Sequence, residues 1–575
     1  MQLADTRPVI MGTRGCVASS HYLATLAGFE ILQAGGNAID AAVATGLALH
    51  VAEPHMNGIG GEAPIILYCT KEKRTVAVSG QGTAPRRATL DYFRKEKIDV
   101  IPGDGFLPAT VPASLAAWIT CLSDFGTFTL RQVMRPAIRL AKEGFPVYST
   151  LQDSIRKHSR RFLTEWPTTA RIFLPSGRVP EVGEVLRQTD LAKTLERLVE
   201  AEKSRGGDRA SGLRAARDLF YSGEIARTIV DFTKDHPSLD ATGRAHTSLI
   251  ALDDLAEYET RLEDTVQGDY EGLTVHKCGP WSQGPVFLQQ LRLLEGYNLK
   301  SMKHNSTDYV HVLTEVAKLA FADRERFYGD PLFADVPLER LLSKSYADER
   351  GKLIRMKKAS LKLQPGDGSR LFHRIAKPAS TGDTTHLDTV DADGNMVSAT
   401  PSGGWIWSSP VIEGLGFPLG TRGQMFSLEA GHPNCIAPRK RPRTTLSPTL
   451  VTSDHRPLMA FGTPGGDQQD QWTLQFFLNF VEFEMNLQAA IDAPTFHSSH
   501  FPSSFYPRDS HPGRLHVENR IAAQTVRELK RRGHRIVMED GWSNGRLTAV
   551  RYDWRMKVMS AAASSRYQTA YALGI

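Results

Sequence analysis

Apolar residues recur at helical spacing from His21 to Val51, interrupted by the turn Gly35-Gly36-Asn37, so the chain is predicted to open with two helices, the second over residues 40–50. Residues 64–79 alternate like two strands around a Lys71-Glu72-Lys73 turn. Helical periodicity returns over residues 109–125, 130–143, 190–202, 223–233 and 309–327, making the first two thirds helix-rich. From 356 to 383 the periodicity stops. Lys357-Lys358, Pro365-Gly366-Asp367-Gly368-Ser369 and Pro378-Ala379-Ser380-Thr381-Gly382-Asp383 are turn-forming or flexible and predict a linker. Alternation begins abruptly at its end, with strands predicted over 384–389 and 396–400 and a hairpin turn at Asp391-Ala392-Asp393-Gly394-Asn395 between them.

With 575 residues, 41% hydrophobic and 23% charged, the chain can bury one large core or several ordinary ones, which excludes a disordered chain or a fibre. Its 69 basic and 63 acidic residues leave a net charge of +6, scattered along the sequence. The cluster Lys530-Arg531-Arg532 reads as a solvated helix face, so no nucleic-acid partner is expected. Five cysteines, far apart and without a C-x-x-C pair, indicate neither a disulfide framework nor a structural zinc site. His497, His500 and His511 lack a nearby carboxylate set, and the run Gly58 to Gly61 lacks the spacing and lysine of a phosphate loop, so neither metal nor cofactor is expected. Residues 1–15 carry no apolar signal region and no window is suited to crossing a bilayer, so the protein is expected to be cytoplasmic, without a membrane partner.

Seven short blocks carry more. They are Ala34-Gly35-Gly36-Asn37-Ala38-Ile39-Asp40-Ala41-Ala42-Val43-Ala44 with Gly58-Ile59-Gly60-Gly61, Ala109-Thr110-Val111-Pro112, Pro280-Trp281-Ser282-Gln283-Gly284, Thr384-Thr385-His386 with the Val390 to Asn395 turn, Lys440 to Thr449, and Gly462-Thr463-Pro464-Gly465-Gly466. In this order, over nearly the whole chain, they resemble the gamma-glutamyltranspeptidase family. The runs Thr400-Pro401-Ser402-Gly403-Gly404-Trp405 and Gly420 to Phe426 are similar to the branch that includes oxamate amidohydrolase.

The resemblance implies an α+β protein with the N-terminal-nucleophile hydrolase fold, four αββα layers with two stacked antiparallel sheets between helical layers. It implies a large subunit, residues 1–383, ending in the 356–383 linker, and a small subunit, residues 384–575, cut from one precursor between Asp383 and Thr384. Thr384 is then the nucleophile. A threonine hydroxyl needs a base, and a freshly exposed α-amine, with an ordinary pKa of about 7.7 to 8.0, supplies one beside it. By the same resemblance Gly465 and Gly466 give the backbone N–H pair that stabilises the oxyanion, and Ser402 holds the terminal amine. Thr444 and Thr445 stand where the family has two serines lining the substrate site, while His386 reads as structural rather than as a base.

Two departures bear on the substrate. Gln81, in Ser79-Gly80-Gln81-Gly82-Thr83-Ala84-Pro85, occupies the place of the family's carboxylate-binding arginine, and Arg86 and Arg87 are out of register. Gln424-Met425 runs into Phe426-Ser427, where the family has an aspartate for the substrate ammonium. A γ-glutamyl head group would be desolvated without partners. Arg422 and Gln424, with Thr400, Gly403 and Gly404 and with Trp405 and Trp407 filling space, suggest instead a small carboxylate-bearing amide such as oxamate, hydrolysed to release ammonia. Two other readings stay open: γ-glutamyl hydrolysis or transfer from glutathione, with Arg86 or Arg422 meeting the head group, and an uncut homologue acting as a binding protein. The expected partners are a small amide and the two subunits themselves; homo-oligomers beyond that pair are left open.

Overall fold

The hairpin beginning just after Thr384 lies at the centre of the molecule. In the computed structural model, which describes residues 5–371, 383–566 and 568–575, its strands are Leu387–Asp391 and Met396–Ala399. They form the middle of a seven-stranded antiparallel sheet in the order Tyr571–Gly574, Gly15–Ser19, Leu387–Asp391, Met396–Ala399, Ile65–Cys69, Arg74–Ser79, Arg261–Glu263. A second sheet, also antiparallel, runs Ile10–Gly12, Val558–Ala563, Thr548–Asp553, Arg456–Gly462, Thr449–Ser453, Leu273–Lys277, Val266–Tyr270. Each sheet takes strands from both sides of Asp383.

Alternation along the strands explains the layering. In the first sheet Ile65, Leu67, Leu387, Val397 and Ala399 face the helices Tyr22–Gln33, Ala38–Ala52 and Ser114–Phe125, while Ile66, Tyr68, Val390 and Met396 face the other sheet. There they meet Leu450, Ala460, Val550 and Ala561. The opposite face of the second sheet, with Val451, Phe461 and Ala549, packs against helices Gly284–Leu294, Thr307–Phe327 and Gln469–Val481. The result is four layers, αββα. Each fully buried aliphatic side chain contributes roughly 1.5–3 kcal/mol, and a one-residue slip would exchange the two faces of a strand, so the register is strongly specified.

Helix Ala38–Ala52 is wholly buried and built of small residues. Asn37 and Asp40 form its capping box, and a Cβ on Gly46 would stand 2.3 Å from the Trp118 ring, so the crossing demands glycine. Its first amide, Ala38 N–H, donates to Asp391 Oδ2 of the hairpin turn at 2.8 Å. Its C-terminal cap is Glu53, which reaches the residue after the nucleophile. The helix therefore clamps the hairpin at both ends.

Several expectations shift at their edges. The helix predicted over 109–125 starts at Ser114, because Leu107 and Pro108 sit in a turn closed by Ala109 N–H to Phe106 O, and Val111, the residue before Pro112, donates its N–H to Thr83 O. The strand predicted from Thr384 starts at Leu387; Thr384 makes only an isolated bridge to Ser402, and Thr385 N–H donates to Pro401 O. Helices Ser149–Thr164 and Arg209–Tyr221 join those read from periodicity. Of the linker expected over 356–383, residues 372–382 lie outside the described residues, while 356–371 form turns and coil. No helix among the described residues is long and apolar enough to cross a membrane.

Candidate active site

Thr384 is fully buried at the entrance to the central hairpin. Its Oγ1 lies 3.1 Å from Ser402 Oγ, the two residues being bridged across neighbouring chain segments. Ser402 Oγ donates to the Asp383 carbonyl at 2.8 Å and accepts from Arg422 Nη2 at 2.7 Å. A serine has one proton to give. With that proton on the Asp383 carbonyl, the Thr384 hydroxyl must donate to Ser402, which leaves a Thr384 lone pair free for the bond it would attack.

The Asp383 carbonyl accepts a second hydrogen bond, from Trp405 Nε1 at 2.8 Å, an N–H shared with Met56 O at the same distance. Two donors converge on one carbonyl oxygen, which is the arrangement of an oxyanion hole. Trp405 was expected to fill space and has a polar role as well. It is carried there by Gly403 and Gly404, both left-handed (φ 71° and 63°), and stacks on Trp407 with ring centres 4.6 Å apart. A Cβ on Gly403 would stand 2.6 Å from the Glu62 carboxylate and one on Gly404 3.0 Å from Gly61 N, so these glycines serve close packing against residues 60–62. Trp405→Phe is expected to slow self-cleavage by roughly tenfold to a hundredfold, read from the decay of full-length chain on a gel, because Ser402 alone then holds the oxyanion.

Gly465 and Gly466 lie in a different wall. They have φ of 131° and 58°, and a Cβ would fall 2.3 Å from Trp472 in the first case and 2.8 Å from Phe505 in the second. Neither N–H has an acceptor among the described residues. Both line a cleft of about 300 Å³ with Asp383, Phe505, Asn544 and Arg546. The structure thus holds two donor pairs near Thr384, one already on the Asp383 carbonyl and one open to the cleft.

Other expected site residues are placed differently. Arg422 is buried and its guanidinium is paired with the equally buried Glu62, lies over the Trp405 ring at 5.4 Å, and donates to Ser402. Burial pushes the Glu62 carboxyl upward against the pull of Arg422. Arg422 is therefore a positioning residue for Ser402 rather than an open cation. The Gln424 amide nitrogen donates to Gly103 O and Thr421 O, and its oxygen accepts from Tyr506 N–H, so it too is committed within the protein. Thr400 Oγ1 is held by His386 Nδ1 at 2.9 Å, and His386 Nε2 meets Asp388 at 3.0 Å. This buried chain locks His386 in a structural place.

Gln81 does not line the Asp383 cleft. It faces a separate cavity of about 190 Å³ with Tyr258, Arg439 and Arg441. Arg441 is itself bound to Asp330, Glu263 and Ser79. Thr444 is tied by its N–H to Trp281 O, whereas the buried Thr445 hydroxyl has no partner among the described residues.

Two charged residues near the nucleophile carry no local sequence signal. Glu53 Oε2 accepts from Thr385 Oγ1 at 2.5 Å. Burial pushes its carboxyl up to about 7, against the pull of the Thr385 hydroxyl and Arg546. Arg546 Nη2 donates to Asp383 Oδ1 at 2.6 Å. Its backbone N–H donates to Thr463 Oγ1 at 2.9 Å, tying it to the Gly465-Gly466 loop.

Outside this region His311, Glu315 and His534 bring three donor atoms within 4.8 Å of one another. Lys318 Nζ sits 2.5 Å from Glu315 and the two imidazoles bond each other at 2.8 Å, while His534 Nδ1 is buried without a partner among the described residues.

Two face-to-face antiparallel sheets between helices, with a buried threonine just ahead of a central strand, define an N-terminal-nucleophile hydrolase. The chain belongs to the gamma-glutamyltranspeptidase family, whose model matches residues 24–574. It is 33% identical over 548 residues, 95% of each chain, to the glutathione hydrolase-like YwrD proenzyme of Bacillus subtilis (strain 168). The solved structure of LmbA2991HD is 44% identical, with full coverage of both chains and a TM-score of 0.95. A cephalosporin acylase from Bacillus halodurans is 31% identical over 100% of this chain and 98% of its own, with a TM-score of 0.85.

Proposed function

We propose that the chain cuts itself between Asp383 and Thr384 and then acts as an amide hydrolase on small acyl groups bearing a carboxylate, of which oxamate is the smallest. The observation that carries the first half is the Asp383 carbonyl, held by Ser402 and Trp405 beside the Thr384 hydroxyl. Thr384 Oγ adds to that carbon. Its proton passes to Ser402, which returns its own to the developing oxyanion, so the intermediate forms without net charge. The C–N bond then breaks as the carbonyl re-forms and its hydroxyl proton passes through Ser402 to the departing nitrogen, and water hydrolyses the resulting ester to leave a free Asp383 carboxylate and a free Thr384 amine.

In turnover the amine takes the Oγ proton as the hydroxyl adds to the substrate carbonyl, whose oxygen turns to the Gly465 and Gly466 amides. Ammonia leaves with the proton, and water releases the acid and restores the hydroxyl. By resemblance, Gln81 and Phe426-Ser427 replace the arginine and aspartate with which the family meets a γ-glutamyl head group, and Gln81 lies outside the Asp383 cleft, while the names of the relatives keep glutathione as the competing substrate. Incubating cut protein with glutathione and with oxamate separates the two: ammonia from oxamate without glutamate from glutathione is expected, and the reverse defeats the reading.

A further inference from the structure

We infer that Arg546, together with the Thr384 nitrogen, forms the carboxylate-binding site of the cut enzyme, that the Asp383 side chain fills it beforehand, and that it selects amides whose carboxylate lies within two carbons of the reacting carbonyl. This deepens the proposed hydrolysis and rests on it. The geometry is compact. A single oxygen, Asp383 Oδ1, accepts from Thr384 N–H at 2.9 Å and from Arg546 Nη2 at 2.6 Å. The same cleft is lined by Gly465 and Gly466.

Asp383 is thus the site's first ligand. Its carboxyl carbon stands two carbons from the carbonyl carbon that Thr384 attacks, and its backbone is the acyl group transferred in the first turn of the chemistry. Hydrolysis of that ester removes the covalent tie that holds the side chain there. An incoming carboxylate meets a guanidinium already fixed from behind, by Thr463 through the backbone and by Met56 Sδ at 3.5 Å from Nη1. The Thr384 amine can donate one N–H to the carboxylate while its lone pair receives the hydroxyl proton. Because the bound oxygen lies against the nucleophile's own nitrogen, only a short spacer lets the carbonyl carbon reach Oγ. Oxamate and succinamate satisfy this. A five-carbon glutaramate or γ-glutamyl group places its carboxylate too far from the reacting carbon.

The test compares cut wild type, Arg546→Gln and Arg546→Lys on oxamate, succinamate, glutaramate and the uncharged diamides oxamide and succinamide. Wild type is expected to favour the two short monoacids over glutaramate and over the diamides by about tenfold or more in kcat/KM. Arg546→Gln is expected to lower kcat/KM for the monoacids about 100-fold, chiefly through KM, and to move the diamides by less than about threefold, with Arg546→Lys between. An equal loss on charged and neutral amides, or a preference for glutaramate, overturns the inference. Should Arg546→Gln remain uncut, the chain-length series and the rise in Tm of cut wild type with succinate, set against succinamide, decide alone; no length preference and no succinate-specific rise reject it. If cut wild type hydrolyses none of these amides, the proposed function fails, and the anion site stands only if succinate still raises Tm where succinamide does not.

Discussion

Thr384→Ala is expected to run as one full-length band of 63.5 kDa and to show amide turnover lowered by roughly 10⁴-fold or more, because one hydroxyl serves both cuts. Wild type is expected to give fragments of about 42 and 21 kDa, at roughly 0.11 kDa per residue, the smaller beginning with Thr384. The Asp383 carbonyl is already polarised by Ser402 and Trp405 in the uncut chain, so removing the hydroxyl removes the attacker and leaves its oxyanion hole intact. A variant that is still cut between the same residues would assign the cleavage to an outside protease. N-terminal sequencing of the small fragment reads the site directly, and a start at any other residue rejects Thr384 as nucleophile.

Gly465→Ala is expected to separate the two reactions. Its backbone has φ of 131°, a region closed to alanine, and the added Cβ would meet the Trp472 ring at 2.3 Å. The loop must shift, and with it one of the two amides proposed to hold the oxyanion in turnover. Turnover should fall by roughly 10²- to 10³-fold. Self-cleavage should continue near its normal rate, since Asp383 is held by other donors. An uncut Gly465→Ala protein with normal Tm would mean that both reactions use the glycine pair. Paired with Trp405→Phe, which is expected to impair the first cut, the two variants dissociate processing from turnover in opposite directions.

Much of this architecture is legible along the chain. Helical spacing up to Val51, the break before Thr384 and the alternation after it locate the central hairpin and the helix packed on it, and they do so without any contact information. The Pro-Gly-Gly run by itself reads as a turn, and only the family resemblance gives it the role of an amide pair. Arg546 was invisible because it lies in a Gly-Arg turn remote in sequence from Asp383, and only the pairing of two sheets brings them together. Glu53 was missed for a related reason: a helix-ending glutamate is ordinary until a neighbouring strand delivers Thr385 to it. Arg422 illustrates the converse error. Proximity to the nucleophile in sequence was read as availability to substrate, whereas Glu62, 360 residues away, already holds its charge.

The interleaving of strands from both sides of Asp383 would outlast a cut there. The proposed hydrolysis would sever the covalent thread but leave every ladder in both sheets paired, so its product would be a noncovalent pair not readily assembled from its parts. Folding must be finished while the polypeptide is continuous. Once nicked, a melted molecule faces a bimolecular search between two fragments with exposed edges, and its loss on heating becomes a matter of hysteresis and scan rate.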